Sequence, residues 1–391
     1  VKKKVAIIGG GPSALIAAFF LSEQFEVHIY EKEKTIGRKF LVAGKGGFNL
    51  TNAISPKELP FKYTPEPKLV SALAAFTNKS LRMWLAQLYI PTYEGTSGRV
   101  FPEEGIKPVE VLRLIEYTLL EKGVKIHTGF ELIDFDTDLS LQFKNQKERK
   151  VDFLILALGG ASWSKTGSDG NWIDWINKKG VTTVPFQASN CGIEINWPSS
   201  ILEAHEGKPL KNIAVSCNGT TLKGEAVITK YGLEGNVIYP ISALIRELIH
   251  KKLSLEILID LKPQNTIEEL IHKASNAKEY KRCWQLNTSQ IALFKAYSDK
   301  ESFLSVEKAA EIVKNLSIPI KGLRPVDEAI STVGGISFDA IEDDFSLKSN
   351  SNVFVMGEML DWDAPTGGFL LQGCFSTGFW VAKKLSKKHS E

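Results

Sequence analysis

The segment 5–31 constrains the fold more than any other part of this sequence. Val5-Ala6-Ile7-Ile8 is a short apolar run, Gly9-Gly10-Gly11-Pro12-Ser13-Ala14 is a glycine-rich turn, and a helical pattern follows through Leu21. A second strand-like run, Val27-His28-Ile29-Tyr30, ends in Glu31 with Lys32 beside it. Strand, tight turn, helix and strand in this order form a parallel unit that seats a pyrophosphate on a helix N-terminus. Gly9 permits the turn, Gly11 removes a Cβ where backbone must approach phosphate, and Ala14 lets the helix pack closely on the strand. Glu31 lies 20 positions beyond Gly11, the separation of a carboxylate that accepts ribose hydroxyls. A carboxylate there repels a 2′-phosphate, which argues against tightly held NADP. The segment therefore predicts an adenine dinucleotide held by Gly9, Gly11, Pro12, Ser13, Ala14, Glu31 and Lys32.

A chain of 391 residues has room for two or three domains with buried cores. Its net charge of +3 gives no nucleic-acid or membrane footprint, and no apolar run approaches the ~20 residues that span a bilayer. Lys2-Lys3-Lys4 and the segment from Lys383 to His389 read as solvated tails. Glycines interrupt the N-terminal apolar run where a signal peptide would be continuous. Cys191, Cys217, Cys283 and Cys374 are scattered, without the spacing of a zinc site or dithiol. These features predict a cytoplasmic protein of unknown oligomeric state that acts on a small molecule, with no nucleic-acid, membrane or metal partner.

Strands and helices alternate over the first 190 residues, up to the near-continuous apolar run from Val151 to Leu158 and Gly159-Gly160. Short strand-like runs with turn signals then fill 192–260, and helical patterns fill 266–313. The dinucleotide texture returns at the end. Asn352 to Met356 reads as a buried strand closing in Gly357-Glu358, and Thr366-Gly367-Gly368 opens a helix from about Phe369 to Leu385. We therefore expect an α/β dinucleotide-binding domain from 1–187 and 324–391. A β-rich insert at 188–262 and a helical one at 263–323 complete the expected organisation.

The C-terminal block favours FAD over NAD. A helix opening at Gly368, Phe369, Leu370, Leu371 and Gln372 can present free N–H groups and its positive dipole end to the flavin N1/O2 edge, where negative charge gathers on reduction. Gly357 and Glu358 can meet the ribityl chain or pyrophosphate.

Four blocks together are similar to the HI0933-like (YhiN-type) family of bacterial FAD-dependent oxidoreductases. They are 7–31; Gly37-Arg38-Lys39 with Gly44 to Asn52; Ala157 to Trp163 with Thr166 to Gly170; and Gly357 to Asp361 with Thr366-Gly367-Gly368 and Leu371-Gln372. The resemblance implies a glutathione-reductase-type FAD domain interrupted by a substrate-side insertion, with FAD bound non-covalently. Where the family commonly carries Arg-Cys-Asn, this chain has Gly47-Phe48-Asn49, and its Leu360-Asp361-Trp362 and Ala364-Pro365-Thr366 mark a sub-branch. Gly44, Lys45, Gly46, Gly47, Asn49, Thr51 and Asn52 suit a loop that wraps the flavin or its phosphates. Arg38 and Lys39 are phosphate contacts or solvated cations. Ala157, Gly159 and Gly160 let backbone pass close to the adenosine half.

Flavins carry out hydride transfer, and the protein supplies position and electrostatics. No second nicotinamide unit is evident, so either NAD(P)H visits transiently or the substrate reduces the flavin and oxygen reoxidises it. Arg99 is a candidate clamp for an anionic substrate, and Tyr231 or Lys230 a candidate for proton transfer. Tyr231 also reads as a packed aromatic. His127, His205, His250 and His272 read as isolated, Cys374 as a helix-packing residue, and Asp361 and Asp363 as pocket or loop acids. The expected activity is FAD-dependent oxidoreduction of an unidentified small organic molecule. Flavin amine or aminoketone oxidase, NAD(P)H-driven ene-reductase and RNA-associated flavoprotein are the alternatives.

Overall fold

The computed structural model describes residues 1–42, 48–65, 67–95, 97–144, 146–274, 283–299 and 301–390. Contacts divide the chain into two units, 1–187 with 331–391 and 188–330. The first is therefore built from both chain ends.

The first unit is organised by a six-stranded sheet. Strands β1 (Lys4–Ile8) and β2 (Glu26–Glu31) flank helix α1 (Pro12–Leu21) in sequence. Strands β3 (Lys125–Thr128), β4 (Phe153–Leu156) and β5 (Asn350–Val355) follow, with helix α2 (Phe369–Ser390) closing the chain. The strand order is β5-β4-β1-β2-β3, all parallel, and a short antiparallel strand Ser346–Leu347 covers the β5 edge. Ile8 lies in register with Tyr30 on one side and Leu156 on the other. Every residue of β4 is buried, which explains why its sequence is apolar without alternation. Seven of the ten residues of α1 are buried, including Leu15, Ile16 and Leu21. It is apolar on all sides because it is covered on all sides, with α2 packed along it.

Neither basic end of the chain is a free tail. Lys2 donates to the Ser22 carbonyl (2.9 Å), α2 continues to Ser390, and Lys388 donates to the Ser351 carbonyl (2.9 Å).

The second unit is a seven-stranded antiparallel sheet. Its strand order is Leu316–Pro319, Glu256–Asp260, Pro209–Cys217, Thr220–Thr229, Gly232–Glu234, Ile193–Glu194, Gly322–Leu323. The helices Ile267–Ala274, Thr288–Ala296 and Val306–Lys314 place Leu270, Leu293, Phe294, Ala309 and Val313 in one core with Ile213, Val215, Ile257 and Ile259 of the sheet. The helical stretch 263–323 therefore shares its core with the β-rich stretch 188–262. Its last strands, 316–319 and 322–323, are both sheet edges, so the two pieces form one body. The return to the first unit falls at 330/331, seven residues beyond the expected 323/324.

Candidate functional site

The turn between β1 and α1 opens into a cleft of about 500 Å³ in the first unit. It is walled by residues 8–13, Tyr30, Glu31, Lys32, the segment 37–40, Ala157-Leu158-Gly159, Glu358 and Cys374. Gly9 adopts φ +101°, and a Cβ on it would lie 2.3 Å from the Ala157 carbonyl oxygen. No other residue can make this turn beside β4. Gly11 differs: its φ is −82°, and nothing lies within 4 Å of where its Cβ would be. Packing alone does not require glycine at position 11, and a side chain there would project into open space. A ligand laid against the backbone accounts for its absence. Gly11 is also the N-cap of α1 and provides no side-chain cap, so the first-turn amides are left for an anion.

Glu31, at the end of β2, accepts hydrogen bonds from the Gly10 amide (2.7 Å) and the Glu33 amide (2.9 Å). Both bonds hold its carboxylate at the cleft wall. The cations beside it are already paired. Lys32 bonds Asp169 (2.7 Å), and Arg38 meets Glu33 (3.2 Å) and donates to the Lys165 carbonyl (3.0 Å). Lys39 bonds both Glu358 and the Ser162 hydroxyl, each at 2.8 Å. A phosphate in this cleft is therefore met mainly by backbone amides and a helix dipole. The Lys39–Glu358 pair joins the segment after α1 to the end of β5.

The far wall was not legible in the sequence. Phe130, Leu132, Ile133 and Lys144 come from a three-stranded meander, and Trp172 and Trp175 from a short helix, Trp172–Lys178. The Trp172 indole donates to the Gly159 carbonyl (2.9 Å). Alternation marks Leu132–Phe135 as a strand but does not say which end meets a cleft. Ala157 and Gly159 line the cleft. Gly160 does not; its α-carbon faces Thr332, whose Oγ1 would be 2.2 Å from an added Cβ.

The start of α2 forms a second cluster, outside the cleft lining. Gly368 has φ +99°, and a Cβ there would sit 2.3 Å from the Thr51 carbonyl. The Thr51 hydroxyl donates to Gln372 Oε1 (2.6 Å), and Gln372 Nε2 donates to the Phe76 carbonyl and the Ser376 hydroxyl. Asn52 donates to the Gly367 carbonyl (3.2 Å), and the Tyr63 hydroxyl to that of Phe369 (2.7 Å). Thr51, Asn52 and Gln372 therefore spend their side chains fixing the helix start. Gln372 N–H bonds the Gly368 carbonyl (3.1 Å); the amides of Phe369, Leu370 and Leu371 precede that first helical bond. Arg99 begins the strand Arg99–Pro102 in register with Asn52, and its Nε lies 3.6 Å from the Cβ position of Gly367. Asn49 is half-buried; Gly44, Lys45, Gly46 and Gly47 lie outside the described residues.

Several candidates have structural partners. Asp361 accepts from the Gly334 amide and Asp363 from the Ala364 amide, each at 2.9 Å. The Gly357 amide bonds the Thr377 hydroxyl (3.0 Å). Cys374 is buried and borders the cleft, and burial raises its thiol pKa well above the ordinary value. His127 is not isolated: its Nε2 lies 3.0 Å from His28 Nδ1, and its ring stacks on Tyr30 at 4.7 Å. His205 bonds Ser289 (3.0 Å).

Tyr231 belongs to the second unit. Its hydroxyl donates to Glu234, and the Arg324 guanidinium lies 4.0 Å from its ring centroid. Arg324 is in turn held by Glu194 (2.7 Å) and Glu328 (2.5 Å). Burial and the neighbouring Glu234 carboxylate raise the phenol pKa well above its ordinary value.

Among the described residues no helix is long and apolar enough to cross a membrane. A family model described as HI0933-like protein Rossmann domain matches residues 3–384. Two curated relatives align over 98% of this chain at 24% identity. They are 3-dehydro-bile acid delta(4,6)-reductase of Clostridium scindens, covered over 99% of its length, and ribosomal RNA dihydrouridine synthase of Haemophilus influenzae, covered over 98%. Among solved structures, 3-ketosteroid-delta4-(5alpha)-dehydrogenase of Rhodococcus jostii shares the fold with a TM-score of 0.53 at 15% identity, over 97% of this chain and 96% of that one. The 3-ketosteroid delta1-dehydrogenase of Sterolibacterium denitrificans does so at 0.51 and 13%, over 99% and 100%. The chain belongs to the HI0933-like family and is an FAD-dependent oxidoreductase with a Rossmann-type cofactor domain.

Proposed function

We propose that this chain reduces a carbon–carbon double bond conjugated to a carbonyl. One observation carries the reading. The two relatives named above have names that describe this one chemistry, on a bile acid in one case and on uridine of ribosomal RNA in the other. A Δ4,6 double bond of a 3-oxo steroid and the 5,6 double bond of uracil are both conjugated to a carbonyl. The shared step is addition of hydride to one carbon and a proton to its neighbour. Among substrates, a small apolar ketone is favoured. The chain's net charge of +3 over 391 residues supplies little of the phosphate-neutralising charge on which RNA affinity rests.

FAD supplies the hydride-transfer chemistry at its N5. The remaining roles belong to the chain. Gly9, Gly11, Pro12, Ser13 and Ala14 bring the α1 amides to the pyrophosphate, and Glu31 accepts the ribose hydroxyls beside Lys32. Arg38 and Lys39 shape the wall through their ion pairs, with Ala157 and Gly159 turning the backbone past the adenosine. Gly357 and Glu358 border the ribityl side. Thr51, Asn52 and Gly368 hold the helix start so that the amides of Phe369, Leu370 and Leu371 would meet the flavin edge, and Asn49 is proposed as a further cofactor contact. Gly44, Gly46 and Gly47 complete the proposed cofactor contacts. Arg99 is the proposed contact for the carbonyl end of the substrate, and Tyr231, in the second unit, is proposed from its residue type as the proton donor. The phenol holds its proton through the neutral range, and its raised pKa makes it a weaker acid than a free tyrosine.

The test is anaerobic. NADH or NADPH should bleach the bound flavin, whereas an amine should not. Tyr231→Phe should leave this bleaching and the FAD content intact while lowering turnover on an enone by about a hundredfold. Bleaching by an amine alone would replace the reading with an oxidase.

A further inference from the structure

A second cavity of about 460 Å³ lies within the second unit, a volume in the range of small-ligand sites. Its lining is polar and carries one sign of charge. Lys211, Lys262 and Lys273 line it with amide side chains that include Asn212, Gln264, Asn265 and Gln285; among the described residues no Asp, Glu or Arg lines it.

The backbone around the cavity departs from regular structure. Lys211 and Asn212 occupy the irregularity in the strand Pro209–Cys217, where pairing shifts between Leu210 and Ile213. Asn212 has φ +53° and Gln285, also in the lining, has φ +50°. Left-handed conformations in residues other than glycine cost energy and gather at binding sites. A bulge re-aims side chains that a regular strand would place elsewhere.

The charges are under-compensated. Asp260 is taken by Lys314 (2.6 Å) and by the Lys262 amide (2.8 Å). Lys262 donates to the Gln285 carbonyl (2.8 Å), an uncharged partner. Among the described residues Lys211 and Lys273 form no ion pair. Burial, and to a lesser degree the Lys273 charge, lowers the Lys262 pKa. The start of the helix Thr288–Ala296 is spent on its own cap, Asn287 with Gln290, so the lysines and amides are the binding groups.

We propose that this cavity binds a phosphate-bearing small molecule of about mononucleotide size, at a site separate from the FAD cleft. Lysines act as point charges for phosphate, whereas carboxylate sites favour the arginine fork, and among the described residues no arginine lines the cavity. A polymeric RNA is disfavoured because Trp284, the aromatic of the lining, is buried and donates its indole N–H to the Leu270 carbonyl (2.8 Å). It therefore presents no face for base stacking.

The experiment is calorimetric titration of inorganic pyrophosphate into the FAD-loaded protein, so that the first cleft is filled. Saturable one-to-one binding is expected, weakened by about tenfold in each of Lys262→Gln and Lys273→Gln. Lys211→Gln, at an exposed position, should show the same direction and guards against misfolding at the half-buried Lys262. No saturable heat at millimolar pyrophosphate, or affinity in all three variants equal to that of the unsubstituted protein, overturns the proposal. So does an oligoribonucleotide that binds through these lysines while pyrophosphate does not.

Discussion

Gly9 and Gly11 are two positions apart, and they are glycine for different reasons. A Cβ on Gly9 would strike the Ala157 carbonyl from a left-handed backbone, while one on Gly11 meets nothing. Gly9→Ala should therefore destabilise the apoprotein by about 1–3 kcal/mol. Gly11→Val should leave apoprotein stability within about 0.5 kcal/mol and weaken FAD binding by about tenfold or more. Thermal melts of the apoproteins and FAD titrations separate the two effects; equal loss of stability in both variants would remove the argument for a ligand at Gly11. The same contrast shows what a sequence can convey at this scale. The glycine pattern and Glu31 were legible because phosphate and ribose impose fixed spacings. Thr51, Asn52 and Gln372 were legible as important positions, but not as mutual partners, since their bonds join residues more than three hundred positions apart. Tyr231 is partly the same: its residue type suggested chemistry and Glu234 lies three positions away, but the Arg324 contact depends on how the sheet brings distant segments together.

At the scale of elements, adjacent strands place titratable groups together beside the cleft. β2 and β3 pair so that His28 and His127 are within bonding distance, with Tyr30 stacked against them. Burial lowers both imidazole pKa values. Lys125 and Lys4 reinforce the effect on His28, Arg149 and Lys125 on His127, and Glu26 opposes it at His28. Glu26 itself, bonded by Lys125 and His28, is held down to about 2 and stays ionised. A histidine whose folded pKa is depressed contributes stability above its unfolded pKa and loses it as pH falls through the folded value, because the unfolded chain takes up the proton first. The melting temperature should therefore drop as pH falls from about 7 to about 5, with a shallower slope in His127→Gln. An identical slope in that variant would show that the pair does not govern the transition. Composition could not reveal this pair, since the two histidines are separated by a meander of helices and strands; only the strand order brings them together.

At the scale of the molecule, the two chain ends build the cofactor domain and the middle forms one further body. Both ends were readable because a buried parallel strand and a glycine-opened helix leave strong local patterns. The unity of the middle was not, since helices 267–274 and 306–314 and strand 256–260 contribute to one core through contacts that leave no local signature. The whole-molecule claim is that this fold delivers hydride to a carbonyl-conjugated double bond. Its most direct measurement is the anaerobic reoxidation of the reduced, FAD-loaded protein by a 3-oxo-4-ene steroid, followed by mass analysis of the product. The account predicts return of the yellow flavin spectrum with a product heavier by one pair of hydrogens. Reoxidation no faster than in buffer, with the enone recovered unchanged, would contradict it.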